Sequence, residues 1–282
     1  MISTDNTKTA LTDLKNKSSK EVVLLSKEEF EKHFETKINA SGAHYYFDDK
    51  HYITIDEKLP KELAECTFVH ECLHAILRAE GYPCAYAIDK GDMNAEMRNS
   101  LANISGFITD AIHHPEIYRR MSSNYSLDIH GYFDKVVEAK IKRLKNMKKN
   151  IDNNIENIYL SQQNFIDAVE YFFYPIIQKE IIFNELKIYS FDNYQSLNNI
   201  KKTKLNFNTS KDASLSICFM LEKIKKYATS RNAEILNKQV WDRIVIEKNI
   251  ILLKCTQNGE PSIPKNMYSL GKDIKEIKLK TF

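Results

Sequence analysis

Glycine and proline are scarce in this chain, with only 7 glycines and 6 prolines among 282 residues. Neither of the glycine-rich patterns that cradle nucleotide phosphates is present, which argues against a P-loop or a dinucleotide-binding fold. No apolar run reaches the roughly 18 residues of a membrane-spanning helix. The polar segment Met1–Lys20 lacks the apolar centre of a secretory signal. We therefore expect a cytoplasmic protein with no membrane partner.

Cysteine and net charge are low as well. The five cysteines are odd in number and form no C-x-x-C pair, which is typical of reduced thiols and not of a disulfide framework. The 41 basic residues nearly balance the 38 acidic ones, so no strong field favours nucleic acid. One basic run has helical spacing and predicts a solvated helix face, so we expect no nucleic-acid partner. Its members are Lys140, Lys142, Arg143, Lys145, Lys148 and Lys149.

What the chain does contain is one H-E-x-x-H motif, His70 to His74. Residues four apart lie on the same face of a helix, so the two imidazoles can bind one Zn²⁺. Glu71 is then placed to take a proton from a water molecule at the metal. Pro60 suits the first turn of such a helix, and Gly81 suits its C-terminal cap. The motif therefore predicts a zinc site on a helix.

Apolar periodicity places both histidines on the buried side of this helix. Cys66 lies one turn before His70 and could touch a metal, but a small core residue is the simpler interpretation. An apolar face seldom buries two histidines one turn apart without a metal or polar partners. The inward stripe consists of Leu63, Cys66, Thr67, His70, His74 and Leu77.

A catalytic zinc usually has three protein ligands and leaves one position for water. Glu80, six residues after His74, points about 120° away from it if the helix continues, and we reject it. Glu96 is placed about one turn into the next helix and reaches the motif if the intervening loop reverses direction. His114 lies eighteen residues further, about 27 Å along a helix, and needs a different packing arrangement. Glu96 is the preferred third ligand and His114 the alternative.

The first half of the chain predicts a flexible N-terminal arm or a loose helix over residues 1–20, followed by an α+β domain over residues 21–123. Ser26 and Glu29 form a capping-box pattern at the start of a helix. His51–Ile55 is either an edge strand open to an extended peptide or, more simply, an ordinary sheet member. The predicted strands are Glu21–Leu25, Ala43–Phe47 and His51–Ile55, the last two joined by a turn at Asp48-Asp49-Lys50.

Beyond the motif helix we expect a loop over Gly81–Gly91 and a helix from Asp92 to about His113, which Pro115 should end. A short helix to about Met121 follows, and a boundary near Ser123–Leu127 begins a mainly helical accessory region, residues 124–282. The elements predicted there are helices over Tyr132–Ile158, Gln162–Leu186 and Asp212–Ala228, and a terminal hairpin of Val240–Glu247 and Ile250–Cys255.

A hairpin, an H-E-x-x-H helix and a following helix with an early glutamate together resemble gluzincin-type zinc metallopeptidases, and the ImmA/IrrE-like group is the nearest comparison. The resemblance covers about Glu21–Met121. It implies a minimal zincin-like domain, in which a small antiparallel sheet is joined by the H-E-x-x-H helix and a ligand helix. It also implies His70, His74 and Glu96 as zinc ligands and Glu71 as the catalytic base. The chain departs from the gluzincin pattern at Ser100, where an aspartate is usual.

These observations together predict a zinc metallopeptidase that hydrolyses peptide bonds in a narrow set of protein or peptide substrates. A hydrogen-bond donor should stabilise the oxyanion, and Tyr86, His114 and Tyr118 are the candidates. Two alternatives stay open. One is a non-catalytic regulatory protein with a structural metal site, and the other is a metal hydrolase of non-peptide amides.

Overall fold

The computed structural model describes residues 3–38, 40–82, 84–87, 95–147 and 176–189, with short pieces at 194–195, 197–198, 205–206, 212, 216 and 244–246. The chain forms two compact units. The first consists of Met1–Tyr82 and Pro115–Val136, and the second of Pro83–His114 and Val137–Phe282. The predicted boundary near Ser123–Leu127 falls inside the first of them.

The N-terminal segment, predicted to be a flexible arm or a loose helix, contains a packed helix. Helix α1 spans Asp5–Lys17 and begins with a capping box between Thr4 and Thr7. Ala10 and Leu14 are fully buried, and α1 packs against the helix that carries the motif. An isolated helix of 13 residues is only marginally stable. Tertiary packing therefore stabilises α1, and its few apolar residues give little sign of this in the sequence.

Three strands form a mixed sheet in the order β1 (Glu21–Leu24), β3 (Lys50–Ile55), β2 (Gly42–Phe47). The β2–β3 hairpin is confirmed, and Asp48 and Asp49 have φ values of 47° and 61°, as a tight hairpin turn requires. Strands β2 and β3 are antiparallel, whereas β1 and β3 are parallel. The sheet is therefore mixed and not wholly antiparallel as predicted. Since β3 is the central strand, it is an ordinary sheet member and not an edge.

One face of this sheet is covered by helix α2, Lys27–His33. The predicted capping box is confirmed, because Ser26 and Glu29 each accept a main-chain N–H bond from the other. Phe30 of α2 is fully buried against the sheet. Its ring contacts Tyr45 of β2 edge-on, with 4.9 Å between the ring centroids. The opposite face of the sheet is left for the motif helix.

Helix α3, Lys61–Ala79, carries the motif, and the predicted end residues Pro60 and Gly81 lie at its two ends. Pro60 is its N-cap. Gly81 has a φ of 90° and ends the helix in a Schellman motif, in which Gly81 N–H bonds the Arg78 carbonyl and Tyr82 N–H bonds the Leu77 carbonyl. Every residue from Cys66 to Leu77 is buried, because α1, β2 and β3 all pack against α3.

Helix α4 spans Ala95–Ser123 as one element with Pro115 inside it, which corrects the prediction that this proline ends the helix. A proline within a helix lacks one N–H donor and crowds the carbonyl four residues earlier, here that of Ala111. Glu116, directly after the proline, is buried and accepts hydrogen bonds from Arg119 and Arg120. These charged side chains stabilise the turn that the proline weakens.

The remaining described elements are α5 (Ile129–Met147), α6 (Ile176–Tyr189), β4 (Ala85–Ala87) and β5 (Ile244–Ile246). They confirm helices in the region 124–282 and a strand within Val240–Glu247. Strand β4 lies in the predicted loop, since its antiparallel partner β5 comes from a distant part of the sequence. The segments 148–158, 162–175, 213–215, 217–228, 240–243, 247 and 250–255 of the predicted elements lie outside the described residues.

Helix α5 carries Lys140 to Lys145 of the basic run, whereas Lys148 and Lys149 lie outside the described residues. One member on α5 departs from the predicted solvated face. Lys140 is fully buried, whereas Lys142 and Lys145 are exposed. Within the described ranges we find no helix whose length and apolar character would let it traverse a lipid bilayer.

Candidate metal centre

Three imidazoles meet at one point of the fold. His70 and His74 lie one turn apart on α3, with their Nε2 atoms 3.1 Å from each other. His114 of α4 completes the group, and one ring nitrogen from each of the three lies within 4.8 Å of the other two. His70 and His74 are buried and His114 is partly exposed. This cluster could hold a metal ion.

The donor set fits a transition metal. Imidazole nitrogens suit zinc, copper, iron and nickel, whereas magnesium and calcium prefer oxygen ligands. A zinc–nitrogen bond is about 2.0–2.1 Å long, so two nitrogens on one ion are separated by about 3.3 Å. The spacing of His70 and His74 is close to this value. Among the described side chains no fourth histidine, cysteine or carboxylate joins the three.

The predicted base, Glu71, lies on the side of α3 that faces the edge strand β2. It is buried, and its side chain faces the first residue of β2. A Cβ atom placed on Gly42 would lie only 3.1 Å from Cγ of Glu71 and 2.7 Å from Cγ2 of Thr67. Glycine therefore lets the strand approach α3 closely at Thr67 and Glu71.

Two tyrosines flank His70. The ring of Tyr118, on α4, lies 5.8 Å from that of His70 between centroids, and the ring of Tyr132, on α5, lies 5.9 Å away. Tyr118 is buried and Tyr132 is half-buried. Tyr118 was a predicted oxyanion donor, and Tyr132 is an addition that no sequence pattern indicates, because tertiary packing brings α5 to the motif. The side chain of Tyr86 lies outside the described part of the structure.

The third ligand is the point on which the structure adds most. His114, the predicted alternative, belongs to the cluster, whereas the side chain of Glu96 is not among those described. Both residues lie on the continuous helix α4, about 27 Å apart along its axis. They cannot bind the same ion, so the cluster supports His114, and Glu96 stays a prediction. Glu80, rejected from the sequence, is held in ion pairs with Lys17 and Arg120.

The described cysteines are buried and are not part of the three-histidine cluster. Burial raises the pKa of the Cys66 thiol to about 11, so this residue stays protonated at neutral pH, as its interpretation as a core residue requires. Burial likewise raises the pKa of Cys72. The described three-histidine cluster includes neither of these cysteines. Cys84 lies with its sulfur 3.9 Å from Nε2 of His113, and both are buried.

A second histidine pair connects the sheet to α1. The hydroxyl of Ser18 lies 2.9 Å from Nε2 of His51, and Nδ1 of His51 lies 3.0 Å from Nε2 of His44. Burial, together with the nearby Arg78 cation, lowers the pKa of His51 to about 4. His51 is therefore neutral at physiological pH and can donate with one nitrogen while accepting with the other.

Comparison with protein-family models, with curated proteins and with solved structures finds no match for this chain.

Proposed function

We propose that this chain is a zinc-dependent metallopeptidase with a minimal zincin-like domain and Glu71 as its general base. The observation that supports this most strongly is the meeting of His70, His74 and His114, with Glu71 on the same helix as two of them. Structural zinc sites are closed by four protein ligands, whereas catalytic sites have three and leave one position for water. The described cluster has three.

The chemistry follows from this ligand set. Zn²⁺ would lower the pKa of a water molecule to about 7 and polarise the scissile carbonyl. Glu71 would accept the proton of the attacking water and deliver it to the leaving amine. Tyr118 or Tyr132, which flank His70, would donate a hydrogen bond to the oxygen on which negative charge develops.

The edge strand β2 supports an extended peptide as the substrate. Asp56 N–H bonds the carbonyl of Ser41, and alternate residues of an antiparallel pair form such bonds. The main-chain groups of Gly42 and His44 therefore point away from β3. Among the described strands β2 pairs only with β3. Because Gly42 lies beside Glu71, a peptide that adds to this edge would pass directly by the general base.

The deciding experiment compares cellular protein N-termini after expression of the wild-type chain and of Glu71→Gln. We expect new N-termini with the wild type only, and stoichiometric zinc in both proteins, since Glu71 is not a ligand. Glu62→Gln is the matched control, because Glu62 is an exposed residue on the first turn of the same helix, and it should behave as the wild type.

The same comparison separates the alternatives. Zinc-loaded protein with identical N-termini in the wild type and Glu71→Gln would contradict the peptidase and favour a structural metal site. Small-molecule amides consumed only by the wild type, without new protein N-termini, would favour hydrolysis of a non-peptide amide.

A further inference from the structure

An ion pair joins the two helices that carry the histidines. Arg120 of α4 donates from Nη2 to a carboxylate oxygen of Glu80, at the end of α3, over 2.6 Å. Its Nε donates to Glu116 over 2.7 Å. One guanidinium thus holds two carboxylates in fixed directions, which the rigid fork of arginine favours. The Arg120 side chain is only 16% exposed and that of Glu116 only 7%, so solvent screens these contacts weakly.

The two residues of this ion pair lie equally far along the sequence from the histidine on their own helix. Glu80 follows His74 by six residues, and Arg120 follows His114 by six residues. At a rise of 1.5 Å per residue, the contact lies about 9 Å beyond the histidine on each helix. It therefore fixes the spacing of α3 and α4 close to the point where His114 must meet His74.

Helix α4 needs such a restraint at this point. Pro115 directly follows His114, and it removes the hydrogen bond to the Ala111 carbonyl that would stiffen this turn. The direction of the helix on either side of Pro115 is therefore not set by main-chain bonding alone. Beyond the proline, Glu116 bonds both Arg119 and Arg120, and of these two arginines Arg120 extends the bonding to Glu80 at the end of α3.

We propose that Arg120 and Glu80 are positioning residues that set His114 against His70 and His74, and so determine the affinity of the metal centre. This inference rests on the metal centre of the proposed function. It assigns a role to Glu80, which stands near the motif but is not a ligand, and to a charged cluster that the hydrolytic chemistry does not use.

Two neighbours provide matched controls within the same cluster. Arg119 bonds Glu116 at 2.7 Å and 2.6 Å and is 59% exposed, and among its described contacts none is to Glu80. Lys17 lies 3.4 Å from Glu80, but it belongs to α1 and does not join α3 to α4. Both residues pair with the same carboxylates, so their removal tests whether general electrostatics explains the effect.

The test measures the Zn²⁺ dissociation constant of the full chain by competition with a chromophoric chelator, and the visible absorption of the Co²⁺-substituted protein. We expect Arg120→Gln and Glu80→Gln to weaken zinc binding about 10-fold or more, as for residues that orient metal ligands, and to alter the Co²⁺ bands. Arg119→Gln and Lys17→Gln should stay within about 2-fold of the wild type, and Arg120→Lys should restore part of the affinity.

A purely structural role would lower the melting temperature of Arg120→Gln and Glu80→Gln but leave the zinc affinity and the Co²⁺ bands of the folded protein unchanged, and this would overturn the proposal. Equal losses in the Arg119→Gln and Lys17→Gln controls would overturn it too. If Arg120→Gln does not fold, the milder Glu80→Gln decides. A wild type without zinc would instead refute the metal centre itself, so the two failures are distinguishable.

Discussion

Gly42 leaves just enough room for Glu71, since a Cβ atom at this position would lie 3.1 Å from Cγ of the glutamate. The contact joins the edge of the sheet to the motif helix. It places the proposed base beside the strand that would bind a peptide. A residue larger than glycine at position 42 would therefore displace either Glu71 or the strand.

We expect Gly42→Ala to destabilise the protein by about 1–3 kcal/mol, because overpacking a filled interior forces neighbouring atoms to shift. It should also lower peptidase activity while zinc stays bound, since Glu71 moves and the histidines do not. Gly106→Ala is the control. A Cβ there meets nothing within 4 Å, and in an exposed helix interior alanine is favoured over glycine by about 0.5–1 kcal/mol. Urea unfolding and zinc analysis check both expectations, and an equal effect of the two substitutions would contradict the packing argument.

The third ligand is tested by comparing His114→Ala with Glu96→Ala. If His114 is the ligand, the first substitution should abolish stoichiometric zinc and the second should retain it, because the two positions are about 27 Å apart along one helix. Native mass spectrometry measures the zinc content. Retention of zinc by His114→Ala together with its loss in Glu96→Ala would restore the original sequence prediction.

The buried His51 makes stability depend on pH. Its pKa in the folded state, about 4, lies below the usual histidine value of 6.5, so the unfolded chain takes up the proton first as the pH falls. The stability contributed by neutral His51 is complete above about pH 6.5. It is lost toward pH 4 with a slope of up to about 1.4 kcal/mol per pH unit.

Urea unfolding between pH 7 and pH 4.5 checks this dependence. His51→Phe should show a shallower loss of stability than the wild type, whereas His33→Gln, at an exposed site on α2, should show the same slope as the wild type. Parallel curves for His51→Phe and the wild type would mean that His51 contributes nothing to the acid sensitivity.

The packing of α1 predicts that the N-terminal residues are needed for stability. Leu14 is fully buried in a helix that packs against α3. Leu14→Ala should therefore cost about 2–5 kcal/mol, as other large-to-small core substitutions do. Lys15→Ala, at the exposed neighbouring position, should change stability by less than about 0.5 kcal/mol. A Leu14→Ala variant as stable as the wild type would support the flexible arm predicted from the sequence.

Local signals explain what could be predicted. The Ser26 capping box, the Asp48–Asp49 turn and the Gly81 cap act within a few residues, and each occurs where the sequence places it. The burial of His70 and His74 follows from helical periodicity in the same way.

Tertiary relationships explain the rest. The insertion of β3 between β1 and β2 depends on pairing over many residues. Helix α4 continues past Pro115, and Arg120 beyond the proline bonds Glu80 at the end of α3, a contact between helices that sequence spacing does not indicate. The approach of His114 and Tyr132 to the motif likewise depends on how long helices pack, and sequence spacing alone favours Glu96.

The most direct test of the central claim is the X-ray absorption spectrum of zinc in the purified wild-type chain. Three imidazoles and one water predict only nitrogen and oxygen neighbours at about 2.0–2.1 Å, with the multiple-scattering pattern of three histidine rings. A protein that binds no zinc, or a zinc ion with sulfur neighbours at about 2.3 Å, would contradict the proposed centre of His70, His74 and His114.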